Sequence, residues 1–156
     1  MVGPRRVRAQ LLVRDRLQTV LVCLGGTSTD LFRIGTSGSV SGLVDGGIDV
    51  ATSATNNTPP VDTLSYSPFS SAVAVNLALL SGTGVAAFAR IDELVGGSNA
   101  EDTLTGPGIS GDHVAWRITG ANAGEVDGQL TGDDFITTTT WSGFENLKGR
   151  GASDDS

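Results

Sequence analysis

The chain has 156 residues, enough for one domain of ordinary size. Glycine occupies 22 positions, aromatic residues make up 5% and charged residues 17%, a composition that favours strands and turns over a helical bundle. The single cysteine excludes an internal disulfide framework, and the single histidine excludes a His-rich metal site. No run of residues approaches the ~18–20 apolar residues of a membrane-spanning helix.

Charge divides the chain into a basic arm and an acidic body. Residues 1–20 hold five arginines and one aspartate, and because the whole chain carries −7, the remaining 136 residues carry −11. An acidic body repels phosphate groups, so we expect no nucleic-acid partner. An acidic body is better suited to bind a cation than a nucleic acid, and Ca²⁺ is a candidate because its ligands are carboxylate and carbonyl oxygens.

The N-terminal arm does not match the rest of the sequence. Basic residues followed by the apolar run Val20–Leu24 sketch a secretory signal, but the run is short and no small-residue cleavage site follows it. The best helical pattern covers residues 5–22, and it is weak. We therefore expect residues 1–22 to be a poorly ordered or weakly helical extension outside the repeat fold, which covers residues 23–156.

A glycine turn followed by small polar residues and an aspartate recurs along the body of the chain. The turns begin at Gly25, Gly96 and Gly149, and their aspartates are Asp30, Asp102 and Asp154. A related Asp-Thr-Leu sequence occurs at residues 62–64. Recurrent units of this kind indicate stacked repeats that bury a shared apolar face.

Short segments with strand chemistry lie between these turns. They cover residues 72–77, 85–91, 114–118 and 135–141, and Gly, Pro, Asn or Asp residues bound them. Because one repeat cannot bury its apolar face alone, we predict an all-β fold, a right-handed parallel β-solenoid of the β-helix or β-roll type. Glycine allows the sharp corners between its strands. The side chains expected to point inward are Leu64, Val75, Leu77, Leu94, Leu104, Ile118, Phe144 and Leu147.

The glycine turns resemble the Gly-Gly-x-Gly-x-Asp-x-U-x nonapeptide, with U a large apolar residue, of the hemolysin-type calcium-binding or repeats-in-toxin family. Residues 25–33 match it except that Ser28 stands at the third glycine. Residues 142–149, Ser-Gly-Phe-Glu-Asn-Leu-Lys-Gly, are similar to degenerate adhesin-like repeats of large bacterial surface proteins. The resemblance covers residues 24–156. It implies a non-enzymatic, secreted or cell-surface bacterial segment that extends, displays or adheres.

The resemblance also implies calcium ligands. In the family, the turn aspartate and turn carbonyls bind Ca²⁺ between adjacent turns, which assigns Asp30, Asp102 and Asp154, with Asp62 a weaker match. Family motifs stand in tandem, whereas each motif here stands alone and supplies only about half of the 6–8 oxygens that Ca²⁺ needs. A metal-free turn capped by backbone hydrogen bonds to the aspartate is the alternative. The implied partners are calcium ions, neighbouring repeats of a larger chain, and a surface polysaccharide or protein.

Enzymatic interpretations have less support in the sequence. The pair Asp112–His113 comes without the Gly-x-Ser-x-Gly elbow of a serine hydrolase. A carbohydrate-binding or carbohydrate-active β-helix acting on polysaccharide would need acidic pairs such as Asp92–Glu93 and Asp133–Asp134 to converge with Trp141 on one face. We expect no enzyme, and a metal-free spacer of the same shape stays open as a further alternative.

The end of the sequence interrupts the repeat. The third motif stops at Ser156, where its apolar inward residue would follow. A stack without apolar closure exposes its last strand edge. We therefore expect the repeat region to be truncated at its C-terminus, as a piece of a longer repeat protein, and to be marginally stable in isolation.

Overall fold

A computed structural model describes residues 10–13, 19–49, 60–107, 114–127 and 138–149. All regular secondary structure in these ranges is β, which confirms the expectation of a mostly-β protein. In the same ranges, no helix has the length and apolar character needed to cross a membrane.

The described residues form two mixed sheets of seven strands each. The first sheet contains, in spatial order, β1 (Gln10–Val13), β3 (Leu31–Ile34), β5 (Thr63–Ser65), β9 (Glu93–Val95), β13 (Thr138–Ser142), β12 (Ala123–Asp127) and β11 (Trp116–Gly120). The second sheet contains, in spatial order, β14 (Asn146–Lys148), β10 (Thr103–Thr105), β6 (Ala74–Asn76), β7 (Ser81–Gly82), β8 (Val85–Ala89), β4 (Ser39–Asp45) and β2 (Thr19–Leu24).

Parallel pairing keeps equivalent side chains in register within each sheet. In the first sheet β1, β3, β5, β9 and β13 pair in that order, all in parallel. Phe32, Leu64, Leu94 and Trp141 are register partners along this series, and all four are buried. The short strands carry one apolar residue between polar neighbours, as in Thr63-Leu64-Ser65, so alternation directs the leucine inward. Stacked strands then form a continuous apolar ladder.

Glycines occupy the corners because neighbouring turns approach each other through their backbones. The Gly25 amide donates to the Asp45 carbonyl oxygen at 2.7 Å, and the Gly96 amide donates to that of Ser142 at 2.8 Å. A Cβ atom on Gly25 would overlap the Gly46 carbonyl oxygen, and one on Gly96 would overlap that of Gly143. The glycine turns therefore lie directly against the turns of adjacent strands.

Most of the expected core residues are buried. Six of them are at most 2% exposed, namely Leu64, Val75, Leu77, Leu94, Leu104 and Phe144. Leu147 is partly buried and packs against this core. The prediction for Ile118 is wrong, since its side chain is 60% exposed. It lies on β11, the last strand of the first sheet, beyond which no strand follows among the described residues.

The described parts of the N-terminal arm are strands. The weak helix expected over residues 5–22 is wrong there, because β1 pairs in parallel with β3 and β2 pairs in parallel with β4. Tertiary pairing overrides the weak local pattern in this segment. The division expected after residue 22 falls inside β2, so the arm contributes one strand to each sheet.

Candidate metal centre

Three buried aspartates stand immediately before neighbouring strands of the first sheet. Asp30, Asp62 and Asp92 precede β3, β5 and β9, and their exposed fractions are 4%, 1% and 8%. The Asp30 amide donates to Asp62 Oδ1 at 2.8 Å, and the Asp62 amide donates to Asp92 Oδ2 at 2.7 Å. We call these three residues the aspartate ladder. Each of these two bonds fastens one turn to the next, and parallel register brings the carboxylates close together.

A fourth aspartate turns part of this ladder into a candidate metal centre. Asp49 follows the Gly46-Gly47 corner, and carboxylate oxygens of Asp49, Asp62 and Asp92 lie within 4.8 Å of one another. This carboxylate cluster could hold a metal ion. Its ligands would be oxygen atoms alone, which suits a hard cation such as Ca²⁺ better than Zn²⁺.

The middle carboxylate of the ladder, that of Asp62, has a strongly raised pKa. Burial raises the pKa of Asp62 to about 7, and the hydrogen bond from the Asp30 amide opposes this only in part. The value of about 7 includes a smaller rise caused by repulsion from the carboxylates of Asp49 and Asp92. A buried carboxylate among like charges is costly to ionise, so either a proton or a cation stabilises the cluster.

Asp102 lies outside the cluster and has a different structural role. Its side chain is fully buried, Oδ1 accepts a hydrogen bond from the Val73 amide at 2.8 Å, and Oδ2 accepts one from the Gly97 amide at 2.6 Å. The Asp102 amide in turn donates to Glu145 Oε2 at 3.3 Å. Asp102 therefore caps its own glycine turn and ties it to a neighbouring one, as the metal-free alternative requires.

Replacing Asp102 with asparagine is expected to lower stability regardless of calcium. An amide offers one acceptor oxygen, so one of the two buried backbone N–H groups would lose its partner, at a cost of about 1–3 kcal/mol. Thermal unfolding in calcium and in chelator measures the loss of stability and shows whether it is the same in both conditions. A variant as stable as the parent chain would contradict the capping role.

The structure places the sequence-predicted ligands in three different situations. Asp62 belongs to the cluster, and Asp30 lies beside it, with its Oδ2 accepting a hydrogen bond from the Gly26 amide at 2.6 Å. Asp102 caps a separate turn, and Asp154 lies outside the described residues.

Two members of the cluster were not among the ligands predicted from the sequence. Asp92 was considered only as half of an acidic pair, although like Asp30 and Asp62 it directly precedes a strand with a buried apolar residue, which is a usable signal. Asp49 carries no such signal, because its place in the cluster depends on a contact between turns.

The proposed sugar-binding tryptophan lies in the core. Trp141 is 3% exposed, and its ring meets that of Trp116 edge to face, with ring centroids 6.2 Å apart. A ring buried in this way offers no face for a sugar to stack on. The pairs Asp112–His113 and Asp133–Asp134 lie outside the described residues.

No protein-family model, curated protein or solved structure matches this chain. The resemblance of the turns to calcium-binding repeats thus depends on the sequence motifs alone.

Proposed function

We propose that this chain is a non-enzymatic structural or adhesive repeat segment of a secreted or cell-surface bacterial protein, folded as a right-handed parallel β-solenoid and stiffened by Ca²⁺. The observation that carries the proposal is the cluster of Asp49, Asp62 and Asp92, in which separate turns bring carboxylates together. Its work would be to extend or display other parts of a larger chain, through stacked repeats.

The order of the strands supports the solenoid. Successive strands from β1 to β5 alternate between the two sheets, and the parallel pairs β1–β3, β2–β4 and β3–β5 each join strands two places apart in the chain. β4 and β5 pair onward, also in parallel, with β8 and β9. The same alternation returns in β9 and β10 and again in β13 and β14. A chain that winds through repeated turns produces this order, and right-handed crossovers are the usual ones between parallel strands.

Calcium suits the cluster for electrostatic and geometric reasons. The buried carboxylates of Asp62 and Asp92 and the half-buried carboxylate of Asp49 repel one another unless a cation or protons reduce their charge. Ca²⁺ accepts about 6–8 oxygen ligands in flexible geometry, so carbonyl oxygens of the adjoining glycine turns and water can complete the shell. Since the ion would bind only where the turns are stacked, calcium would stabilise the folded chain.

Thermal unfolding in calcium and in chelator tests the proposal. A bound ligand at about 100 times its Kd stabilises by about 2.7 kcal/mol. For a chain of this size that corresponds to a rise in Tm of roughly 5–10 °C. The variant Asp49→Asn should lose this rise, because it removes one carboxylate from the cluster while keeping the side-chain shape.

Asp102→Asn is the matched control, since Asp102 is a buried aspartate outside the cluster. It should lower Tm in both conditions and preserve the difference between them. A parent chain that melts at the same temperature with and without calcium would remove the calcium part of the proposal. An unchanged response in Asp49→Asn would show that the ion binds elsewhere.

A metal-free spacer of the same shape is the second candidate. The observation in its favour is Asp102, whose two carboxylate oxygens both accept backbone hydrogen bonds. Such capping needs no ion. If the chain is a metal-free spacer, we expect the same strands and the same Tm in calcium and in chelator. The unfolding experiment therefore distinguishes the two candidates.

A further inference from the structure

One antiparallel hairpin interrupts the parallel order of the first sheet. β11 and β12 precede β13 in the chain but lie beyond it in the sheet. β12 pairs with β13 antiparallel along its full length, from Ala123 opposite Ser142 to Asp127 opposite Thr138. The other edge of β13 is paired in parallel with β9. The hairpin therefore occupies the edge on which a further parallel strand would otherwise stack.

Hydrogen bonds and packing hold the hairpin in place. The Gly143 amide donates to the Asn122 carbonyl oxygen at 2.7 Å, and Asn122 Nδ2 donates to Glu145 Oε1 at 2.9 Å. Val126 on β12 is fully buried, and Trp116 on β11 packs edge to face on Trp141 of β13. Both the turn and the body of the hairpin are thus fixed to the strand that they cover.

The opposite end of the first sheet offers a matching strand. β1 is the terminal strand there and, in the part of the chain that the structure describes, pairs only with β3. Because all pairings from β1 to β13 are parallel, β1 of a second copy has the direction needed to continue the sheet after β13. Charge favours the same approach, since residues 1–20 are basic and the other 136 residues carry −11.

We propose that the β11–β12 hairpin is a protective cover that prevents head-to-tail assembly of this chain through its first sheet, and that the covered β13 edge would otherwise accept β1 of a second copy. A head-to-tail contact that does not close into a ring generates open filaments. The hairpin leaves β11 as the terminal strand, but β11 has a register shift between Ile118 and Gly120 and carries the charged Arg117, and irregular or charged edges resist the addition of a further strand. The proposal rests on the stacked architecture of the proposed function and does not depend on calcium.

A single substitution at Gly124 is suited to loosening the hairpin. A Cβ atom at this position would overlap the Arg117 carbonyl oxygen and lie 2.6 Å from Trp141 Cζ2. Gly120 is the matched control in the same hairpin, because a Cβ there meets only the Ala123 Cβ, at 3.8 Å. Gly124→Ala should therefore expose the β13 edge, whereas Gly120→Ala should leave it covered.

Light scattering with sedimentation, at several protein concentrations in chelator, measures the assembly. We expect the average mass of Gly124→Ala to rise with concentration and that of Gly120→Ala to follow the parent chain. Parent chain mixed into Gly124→Ala should shorten the assemblies, because it contributes a β1 strand to the growing end but presents a covered β13. Non-specific aggregates would not respond in this way.

A folded Gly124→Ala chain with the mass of the parent at all concentrations would overturn the proposal, as would assemblies that the parent chain does not shorten. If Gly124→Ala loses its strand signal in circular dichroism, residues 114–127 are replaced by a Gly-Ser linker of equal length and the same measurements apply. Loss of the fold in both variants would show that the hairpin is core rather than cover, which also contradicts the proposal. The calcium response is measured on the parent chain, so its outcome is independent of the outcome of the assembly experiment.

Discussion

Replacing Gly25 with alanine is expected to unfold most of the chain, whereas the same substitution at the adjacent Gly26 is expected to leave it folded. A Cβ atom on Gly25 would overlap the Gly46 carbonyl oxygen and lie 2.7 Å from Asp30 Oδ2. On Gly26 the nearest atom is the same Asp30 oxygen at 3.8 Å, an ordinary contact. Two backbones cannot separate locally without breaking the hydrogen bond from the Gly25 amide to Asp45.

The expected loss at Gly25 is at least about 4 kcal/mol, which is a large part of the roughly 5–15 kcal/mol that stabilises a domain. Urea titrations followed by circular dichroism measure the difference between the neighbouring variants. The comparison cancels the effect of alanine on the unfolded chain, since both variants replace a glycine in the same turn. Equal stabilities would mean that the turns do not stack as closely as the structure has them.

Replacing Asp62 with asparagine is expected to remove the loss of stability that the metal-free chain shows as the pH rises, and so to make that chain more stable above neutral pH. In the folded chain the pKa of Asp62 is raised to about 7, well above the value of about 4 in an unfolded chain. The folded state therefore holds a proton that the unfolded state releases. The contribution of this proton to the free energy of unfolding is complete below about pH 4 and is lost as the pH rises through about 7.

The size of this effect is at most on the order of 4 kcal/mol, because each tenfold difference in proton affinity is worth about 1.4 kcal/mol. Asparagine cannot ionise, its oxygen can accept the hydrogen bond from the Asp30 amide, and its NH₂ group would lie near the carboxylates of the cluster. In chelator, the parent chain should lose stability between about pH 4 and pH 8 that Asp62→Asn retains.

Calcium supplies the second readout for Asp62→Asn. A cation competes with the proton for the same carboxylate, so calcium should stabilise the parent chain more at pH 8 than at pH 5, and should have little effect on the variant. Asp102→Asn again serves as the control, because it should keep the calcium response. A parent chain whose stability rises with pH in chelator over this range would contradict the perturbation at Asp62.

The sequence predicted the local elements with some success. The segments expected at residues 72–77 and 85–91 contain β6 and β8, and the leucines at 64, 94 and 104 are in the core as expected. These outcomes depend on alternation and on the turn residues at either side, which a sequence displays directly. The solenoid itself, the calcium and the surface location remain proposals.

The antiparallel hairpin could not be predicted in the same way. Residues 114–118 were expected to form a strand of the stack, but β11 pairs with β12 outside the parallel series, so Ile118 is exposed. Strand chemistry indicates that a segment is extended, but not which neighbour it pairs with or in which direction. The same limit applies to β1 and β2, whose pairing partners are not apparent in their own residues.

The sequence by itself determined the local elements. These are short strands with alternating side chains, turns that contain glycine, and an aspartate directly before several strands. Steric freedom of the backbone and the two-residue period of a strand are local properties, and they hold wherever the segment is placed. Only the tertiary structure decided that Asp49, Asp62 and Asp92 share one cluster while Asp102 caps a turn. The reason is the register of strand pairing. The register decides which turns lie next to each other, and so which carboxylates come close together. It depends on the packing of all the strands and not on any one segment.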